Sequence, residues 1–298
     1  MSFADREGWI WLDGRLVPWG QAHLHVLSHA LHYASSVFEG ERAYGGVIFE
    51  LTEHSRRLHR SAARLGFDLP WSVDEIDAAC REVVEANGHR DAYLRPIAWR
   101  GAADMGVSAR TGANVHLAVA TWPWGAYFGE ESAARGVRLE LARWRRPAPD
   151  TAPTDAKASG LYMIATLAKN EAEANGFDDA LMLDWRGQVA ETTGANIFFV
   201  QDGALHTPPP QCFLDGITRR TVIELARNRG LAVHEGAIWP DELDSFDEMF
   251  LTGTAVEVMP VAEAGSWKFE IGPVARQLRA DYLDLVNGRG AVPKSRAA

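Results

Sequence analysis

Along residues 8–50 apolar positions alternate with polar ones, with Trp9, Trp11, Val17 and later Val47-Ile48-Phe49 on the apolar side. Period-two alternation marks half-buried strands, and Asp13-Gly14 and Gly45-Gly46 supply hairpin turns. The period then changes. Thr52 is placed to cap a helix on which Leu58, Ala62 and Leu65 recur at i, i+4 and i+7. A second helix starts at the capping box Ser72-x-x-Glu75, carries Ile76, Cys80 and Val83, and stops at Asn87-Gly88. Strand-like runs return at 92–98 and 115–121. Strands, two helices and strands again make this part an α+β unit.

The stretch Trp122-Pro-Trp-Gly-Ala-Tyr-Phe-Gly129 breaks the pattern and reads as a linker. The expected division is a small N-terminal α/β domain over 1–121, an interdomain loop over 122–135 and a larger C-terminal domain over 136–298. Beyond the loop, a strand is predicted at 137–143 and a helix from about 160 to Asn175-Gly176. Strands follow at 180–184 and 197–200, with Asp202-Gly203 turning into another at 204–207. A helix over 218–228, closed by Gly230, leads to a strand at 248–252. The last helix opens with Gly272-Pro273 and carries Val274, Leu278 and Leu285.

Composition narrows the function. The 298 residues are 47% hydrophobic and 23% charged, a globular balance in a chain long enough for two cores. A net charge of −10 argues against nucleic acid or an anionic membrane as partner, since both need a basic footprint. The N-terminus lacks a basic segment followed by an apolar one, and no apolar run approaches the roughly 18 residues of a membrane span. A cytoplasmic protein is expected. Two cysteines fit a reducing compartment: Cys80 is expected in a core, and Cys212 follows Pro208-Pro209-Pro210 with no sign of activation.

His25, His29 and His32 would share one face of a helix, with His23 nearby, yet no cysteine accompanies them and the only close acid is Glu39. Buried or hydrogen-bonded histidines are the expectation, with no metal. G-x-G-x-x-G, P-loop, H-E-x-x-H and G-x-S-x-G patterns are all absent.

Lysine is scarce, and any lysine chemistry has few candidates. The chain has four, Lys157, Lys169, Lys268 and Lys294, against 26 arginines. Lys157 lies among small residues in Asp155-Ala-Lys-Ala-Ser-Gly160, which permits close approach of a flat ligand. Burial of an amine lowers its pKa and makes it usable as nucleophile or base. On this segment alone Lys157 reads as a solvated loop lysine. Three other segments shift that balance. Val189-Ala-Glu191-Thr-Thr-Gly-Ala-Asn196 sets a carboxylate at a strand end, suited to a protonated ring nitrogen. Leu214-Asp-Gly216-Ile217-Thr218-Arg219 opens a helix, whose first amides with the Thr218 hydroxyl make a phosphate seat. Leu251-Thr-Gly253-Thr254-Ala255-Val-Glu257 is a strand and a small-residue turn able to meet an anion through its amides.

In this order, and with His29-Ala-Leu-His-Tyr33, Val37-Phe-Glu-Gly40, Ala92-Tyr93-Leu-Arg95-Pro96 and the Trp122–Tyr127 motif, the chain resembles the branched-chain amino acid aminotransferases, fold-type IV pyridoxal-phosphate enzymes. The resemblance runs from Trp11-Leu-Asp-Gly14 to Gly272-Pro273. It implies a small α/β domain and a larger domain built on a pseudo-barrel of strands. It also implies pyridoxal 5'-phosphate as cofactor. Lys157 would be the Schiff-base lysine and proton shuttle, and Glu191 would keep the ring nitrogen protonated. Tyr162 would bond the phenolic oxygen. Arg57, the Ile217 and Thr218 amides and Thr254 would hold the phosphate. The substrate's α-carboxylate would meet the Thr254–Ala255 turn and Tyr93. Phe38, Trp124, Tyr127 and Tyr162 would wall an apolar pocket, and Arg95 would take the γ-carboxylate of glutamate. Tyr33 and Val107 would reach a neighbouring subunit's site, so a homodimer, or a higher assembly of dimers, is implied.

Some positions depart from the family's pattern: Glu41 beside Arg42, Thr192 and Ala195 in the Glu191 run, and Arg100 in Trp99-Arg100-Gly101. They bear on substrate range, and Glu41 and Arg100 read as solvated surface charges. The activity implied is reversible amino transfer between branched-chain L-amino acids and 2-oxoglutarate. Rival readings are a relative acting on (R)-amines or D-amino acids, an aminodeoxychorismate lyase, and a catalytically silent binding module.

Overall fold

The computed structural model describes residues 3–103, 106–109, 114–125, 127–129 and 131–289. Met105, Ala126 and Lys294 lie outside them. The chain divides into two units, one of residues 1–125 with 156–161, the other of residues 126–155 with 162–298.

The first unit is a seven-stranded antiparallel sheet with two helices on one face. Its strands are β1 (Trp9–Leu12), β2 (Arg15–Pro18), β3 (Ser36–Phe38), β4 (Glu41–Tyr44), β5 (Val47–Ile48), β6 (Ala92–Arg100) and β7 (Val115–Pro123), and a one-turn helix α1 (His29–Tyr33) precedes β3. The order is β2-β1-β7-β6-β4-β5, with β3 also pairing β6. Asp13-Gly14 and Gly45-Gly46 turn the hairpins as expected, at positive φ. β7 continues through Pro123, so the expected linker begins as strand. The core is formed by Val37, Ala43, Leu94, Ala98, Leu117 and Val119 of the sheet, against Leu58 and Ala62 of α2 (Leu51–Arg64) and Ile76, Cys80 and Val83 of α3 (Val73–Ala86).

The Ser72–Glu75 capping box forms as expected. Thr52, however, does not cap α2. The residue before the helix is Glu50, in the left-handed region, and the Thr52 hydroxyl donates to Asp77 Oδ2 at 2.6 Å. Ser55 donates to Oδ1 of the same carboxylate at 2.6 Å, so Asp77 of α3 grips the first turns of α2. His25, His29 and His32 do not share a helix face, because α1 begins at His29 and leaves His25 outside. His29 Nδ1 bonds the Ser35 hydroxyl at 2.6 Å and His32 Nε2 bonds the Val26 carbonyl at 3.0 Å. Among the described residues no group of three or more His, Cys, Asp or Glu could hold a metal ion.

The second unit is a nine-stranded mixed sheet of β8 (Val137–Leu141), β9 (Asp179–Leu183), β10 (Val189–Thr192), β11 (Asn196–Gln201), β12 (Ala204–Thr207), β13 (Val233–Glu235), β14 (Glu248–Gly253), β15 (Glu257–Ala264) and β16 (Trp267–Lys268). Its order is β10-β9-β8-β15-β14-β11-β12-β13, with β16 on β15. Helices α4 (Ser132–Arg135), α5 (Met163–Ala174), α6 (Ile217–Asn228) and α7 (Pro273–Val286) complete it. Val137, Leu139, Leu181, Ile197, Phe199, Leu251 and Val261 are core residues of the sheet. Buried Glu248 takes over the capping of α7: its two oxygens accept the Val274 and Ala275 amides at 3.1 and 2.8 Å. Gly272 makes room for this, since a Cβ there would lie 2.2 Å from the Glu248 carboxyl. Among the described residues no helix is long and apolar enough to cross a membrane.

Candidate active site

In the first unit the Lys157 segment is laid along β3. The Phe38 amide donates to the Lys157 carbonyl at 3.1 Å, and Val37 and Ala158 form an antiparallel bridge. The Lys157 amide donates to Ser61 Oγ of α2 at 3.0 Å. With the backbone held on both sides, the side chain extends to the Phe38 ring, where Nζ lies 5.1 Å from the centroid. Its small neighbours Ala156 and Ala158 are buried, as that close packing requires.

The same ring takes a second cation. Arg95 lies with its guanidinium carbon 4.7 Å from the Phe38 centroid, and its Nη2 donates to the Tyr93 hydroxyl at 3.1 Å. Tyr93 and Arg95 are two apart on β6, so their side chains leave the same face of the sheet. Trp124 stands 4.9 Å from the Tyr93 ring. Gly40 is required here: a Cβ would lie 2.0 Å from the Tyr93 hydroxyl oxygen.

His54, Arg57 and Ser61 of α2 are all buried, at helical spacing on one side of the helix. Arg57 forks onto Glu39, Nε to Oε1 at 2.8 Å and Nη2 to Oε2 at 2.7 Å. His54 Nδ1 bonds the same Oε2 at 2.8 Å. Burial drives the Glu39 carboxyl up, but the Arg57 charge and hydrogen bonds, with those of His54, outweigh it and hold the group well below the usual carboxylate range. Burial pushes His54 below the ordinary histidine value despite its bond to Glu39. The pair Glu39–Arg57 is therefore ionised, and His54 is the neutral donor.

Tyr33 and Val107 are exposed, the latter at 81% of its surface. His29 ties them together, its ring 4.6 Å from that of Tyr33 and its Nε2 3.3 Å from the Val107 carbonyl. On a single chain both are open to solvent.

In the second unit Glu191 lies near the end of β10, buried. Its Oε1 lies 3.2 Å from Arg146 Nε and its Oε2 accepts from Asn196 Nδ2 at 3.3 Å. Asn196 also donates to the Leu214 carbonyl at 3.1 Å, which ties the carboxylate to the loop leading into α6. Gly216 is the N-cap of that helix, and a Cβ on it would lie 2.2 Å from Asn196 Oδ1. Ile217 and Thr218 are the first residues of α6, whose opening amides lack acceptors within the helix. Thr254 and Ala255 form the turn between β14 and β15, following Gly253, which packs against Ala195 and Gly194. Tyr162 caps α5, and Tyr127 packs its ring 4.7 Å from Phe128. Thr192 closes the adjoining turn, its hydroxyl accepting from the Ala195 amide at 3.1 Å. Cys212 is buried, and burial pushes its thiol up to about 12.

A family model described as Amino-transferase class IV matches residues 36–264. The chain belongs to the class IV aminotransferases. Among curated relatives, the branched-chain-amino-acid aminotransferase of Pseudomonas aeruginosa is 44% identical over 296 residues, 97% of this chain and 96% of that protein. Two solved structures share the fold. A T.th. branched-chain amino acid aminotransferase with pyridoxamine 5'-phosphate superposes with a TM-score of 0.92 at 44% identity, covering 95% of each chain. The Escherichia coli branched-chain amino acid aminotransferase gives 0.93 at 39% identity, covering 96% of this chain and 97% of that one. The fold is that of the fold-type IV aminotransferases.

Of the two departures expected as surface charges, Glu41 is corrected, while Arg100 stays half-exposed. Glu41 is wholly buried, and neither carboxyl oxygen has a hydrogen-bond partner at ordinary distance; the Cys80 thiol, a weak donor, is the polar group that eases its burial. Strand alternation puts it with Ala43 on the core face of β4. Arg100 is engaged too: its Nη2 donates to the Gly66 carbonyl at 2.6 Å and its guanidinium lies 5.1 Å from the Phe67 ring. Arg100 braces the first unit. Sequence reasoning passed over Glu39 and His54, and Arg146 as well. The spacing His54-x-x-Arg57 on a predicted helix was the available signal for the first pair; nothing in the sequence pointed Arg146 at Glu191.

Proposed function

We propose that this chain is a pyridoxal-phosphate-dependent aminotransferase that moves amino groups reversibly between branched-chain L-amino acids and 2-oxoglutarate. The observation that carries the reading is the shared Phe38 ring, with the Lys157 amine on one contact and the Arg95 guanidinium on another. It sets a reactive amine beside an apolar wall that also holds a carboxylate-binding cation.

The residues present fit the cofactor. Arg57 is a buried cation on a rigid fork, and Glu191 is a buried carboxylate with both oxygens oriented. The Gly216 entry to α6 is a cradle that a Cβ would fill. When bound, pyridoxal phosphate supplies an aldehyde for condensation with amines and a ring that accepts the electron pair left when a Cα–H bond breaks.

The chain's own residues do the rest. Lys157 would anchor the cofactor through Nζ, and its amine would accept the proton leaving the substrate's Cα. Glu191 holds a proton on the ring nitrogen. Tyr162 bonds the phenolic oxygen. Arg57, the Ile217 and Thr218 amides and Thr254 would hold the phosphate. Tyr93 and the Thr254–Ala255 turn bind the α-carboxylate. Phe38 and Trp124, with Tyr127 and Tyr162, would wall the side-chain pocket and exclude water. Arg95, already docked on Phe38 and Tyr93, receives a γ-carboxylate without disturbing that wall. Tyr33 and Val107, apolar and exposed, belong to an interface with a second copy, so the working unit is a homodimer or an assembly of dimers in the cytoplasm.

Initial rates with leucine, D-alanine and (R)-1-phenylethylamine as donors to 2-oxoglutarate test the reading. Leucine is expected to lead by a wide margin. Little turnover of leucine beside rapid turnover of the amine would overturn it.

A further inference from the structure

The carboxylate of Glu39 is wholly buried and has hydrogen bonds on both oxygens. One oxygen takes Arg57 Nε; the other takes Arg57 Nη2 and His54 Nδ1, all between 2.7 and 2.8 Å. A fork of this kind fixes the plane of the guanidinium, because two parallel N–H···O bonds leave it no rotation. It occupies the Nε–Nη2 edge, which sets the direction in which Nη1 points. His54 completes the arrangement. It donates through Nδ1, which fixes its tautomer and stops the Glu39 carboxylate from rotating out of the arginine's plane. Glu39 itself is anchored by its amide on the Pro96 carbonyl at 2.8 Å, and His54 and Arg57 ride on α2, whose Ser61 holds the Lys157 amide.

We propose that Glu39, seconded by His54, is the positioning residue that aims Arg57, and that this fork sets the chain's affinity for the phosphorylated over the unphosphorylated cofactor. The inference rests on Arg57 as a phosphate ligand. A buried arginine without Glu39 is an uncompensated charge free to choose other rotamers. With Glu39 the cation is neutralised and oriented before the ligand arrives, and little ordering remains to oppose phosphate binding. The unphosphorylated cofactor has no group for Arg57, so its binding is indifferent to the fork.

The test is the dissociation constant of pyridoxal phosphate and of pyridoxal, by equilibrium dialysis on the full chain stripped of cofactor. Wild type, Glu39→Gln, His54→Asn and His54→Leu are compared, each with its thermal melt. Glu39→Gln is expected to weaken pyridoxal phosphate about tenfold or more and to leave pyridoxal within about twofold. His54→Asn keeps a donor near the Nδ1 position and is expected to hold the phosphate preference, whereas His54→Leu loses part of it. If Glu39→Gln does not fold, the two His54 variants decide. Equal weakening of both compounds would make the fork a structural brace and overturn the inference, as would an unchanged phosphate preference. A wild type that binds pyridoxal phosphate normally beside an unaffected Glu39→Gln overturns this inference alone. A wild type that binds neither compound overturns the cofactor reading and this inference with it.

Discussion

Phe38 and Lys157 are joined twice, by the bond from the Phe38 amide to the Lys157 carbonyl at 3.1 Å and by the approach of Nζ to 5.1 Å from the Phe38 ring. The backbone bond fixes where the lysine starts and the ring fixes where it ends. Because Arg95 shares that ring, one aromatic side chain sets the distance between the Lys157 amine and the Arg95 guanidinium.

Phe38→Leu retains apolar bulk but removes the ring's negative face from both cations. Each such contact is worth about 0.5–2 kcal/mol, so kcat/KM is expected to fall about tenfold for leucine through Lys157, and further for glutamate, which also uses Arg95. Steady-state kinetics of both half-reactions check it; a loss confined to one substrate would show that the ring does not serve both cations.

Gly40→Ala would drive a Cβ into the Tyr93 hydroxyl, which sits 2.0 Å from that position. The ring must swing, and the 3.1 Å bond from Arg95 breaks. The KM for 2-oxoglutarate is expected to rise at least about tenfold, because both the Tyr93 contact to its α-carboxylate and the Arg95 placement for its γ-carboxylate are disturbed; the keto acid of leucine loses the first alone and changes less. Equal KM values for wild type and variant would contradict the role given to Tyr93.

Glu41 links the fold to pH. Burial, with the Glu39 and Asp77 charges, pushes its carboxyl well above the ordinary range, so the folded chain keeps a proton that the unfolded chain loses near pH ~4.3. The folded state then binds more protons, and stability falls as pH rises from there toward the folded value. Glu41→Leu removes the penalty. Its melting temperature should exceed that of wild type, with the gap growing from about pH 5 to about pH 8, at about 2–4 °C for each kcal/mol. A gap that stays constant across that range would show that Glu41 does not titrate as described.

Asn196→Ala removes the side chain that joins Glu191 to the Leu214 carbonyl. Glu191 loses one of its holders and the entry to α6 loosens. Cofactor affinity should drop about tenfold while the melt shifts by only a few degrees, as equilibrium dialysis and calorimetry would report. An unchanged affinity would detach Asn196 from the site.

What the sequence disclosed and what it hid divide by range. The Ser72–Glu75 cap and the Asp202-Gly203 turn depend on neighbours a few residues away, and they stand where the pattern puts them; α7 also starts at Pro273 as expected, although its cap comes from distant Glu248. Thr52 misled because its hydroxyl is claimed by Asp77, 25 residues on. Glu41 misled because a charge between Gly40 and Arg42 looks solvated, and only its strand parity, shared with Ala43, shows the core face. β15 went unnoticed because Pro260, Glu257 and Glu263 obscure its apolar run. In the candidate site, motif order singled out Lys157, Arg57 and Glu191, and the structure places them buried or half-buried. Glu39, His54 and Arg146 act only through tertiary contacts, and no local spacing announces those.

The most direct test of the account is the visible absorbance of purified chain with pyridoxal phosphate, measured for wild type and Lys157→Ala and followed as leucine is added. Wild type should show a protein-bound cofactor band that leucine bleaches and 2-oxoglutarate restores, and Lys157→Ala should show neither the band nor the cycle. A Lys157→Ala protein that binds, bleaches and recovers like wild type would contradict the account.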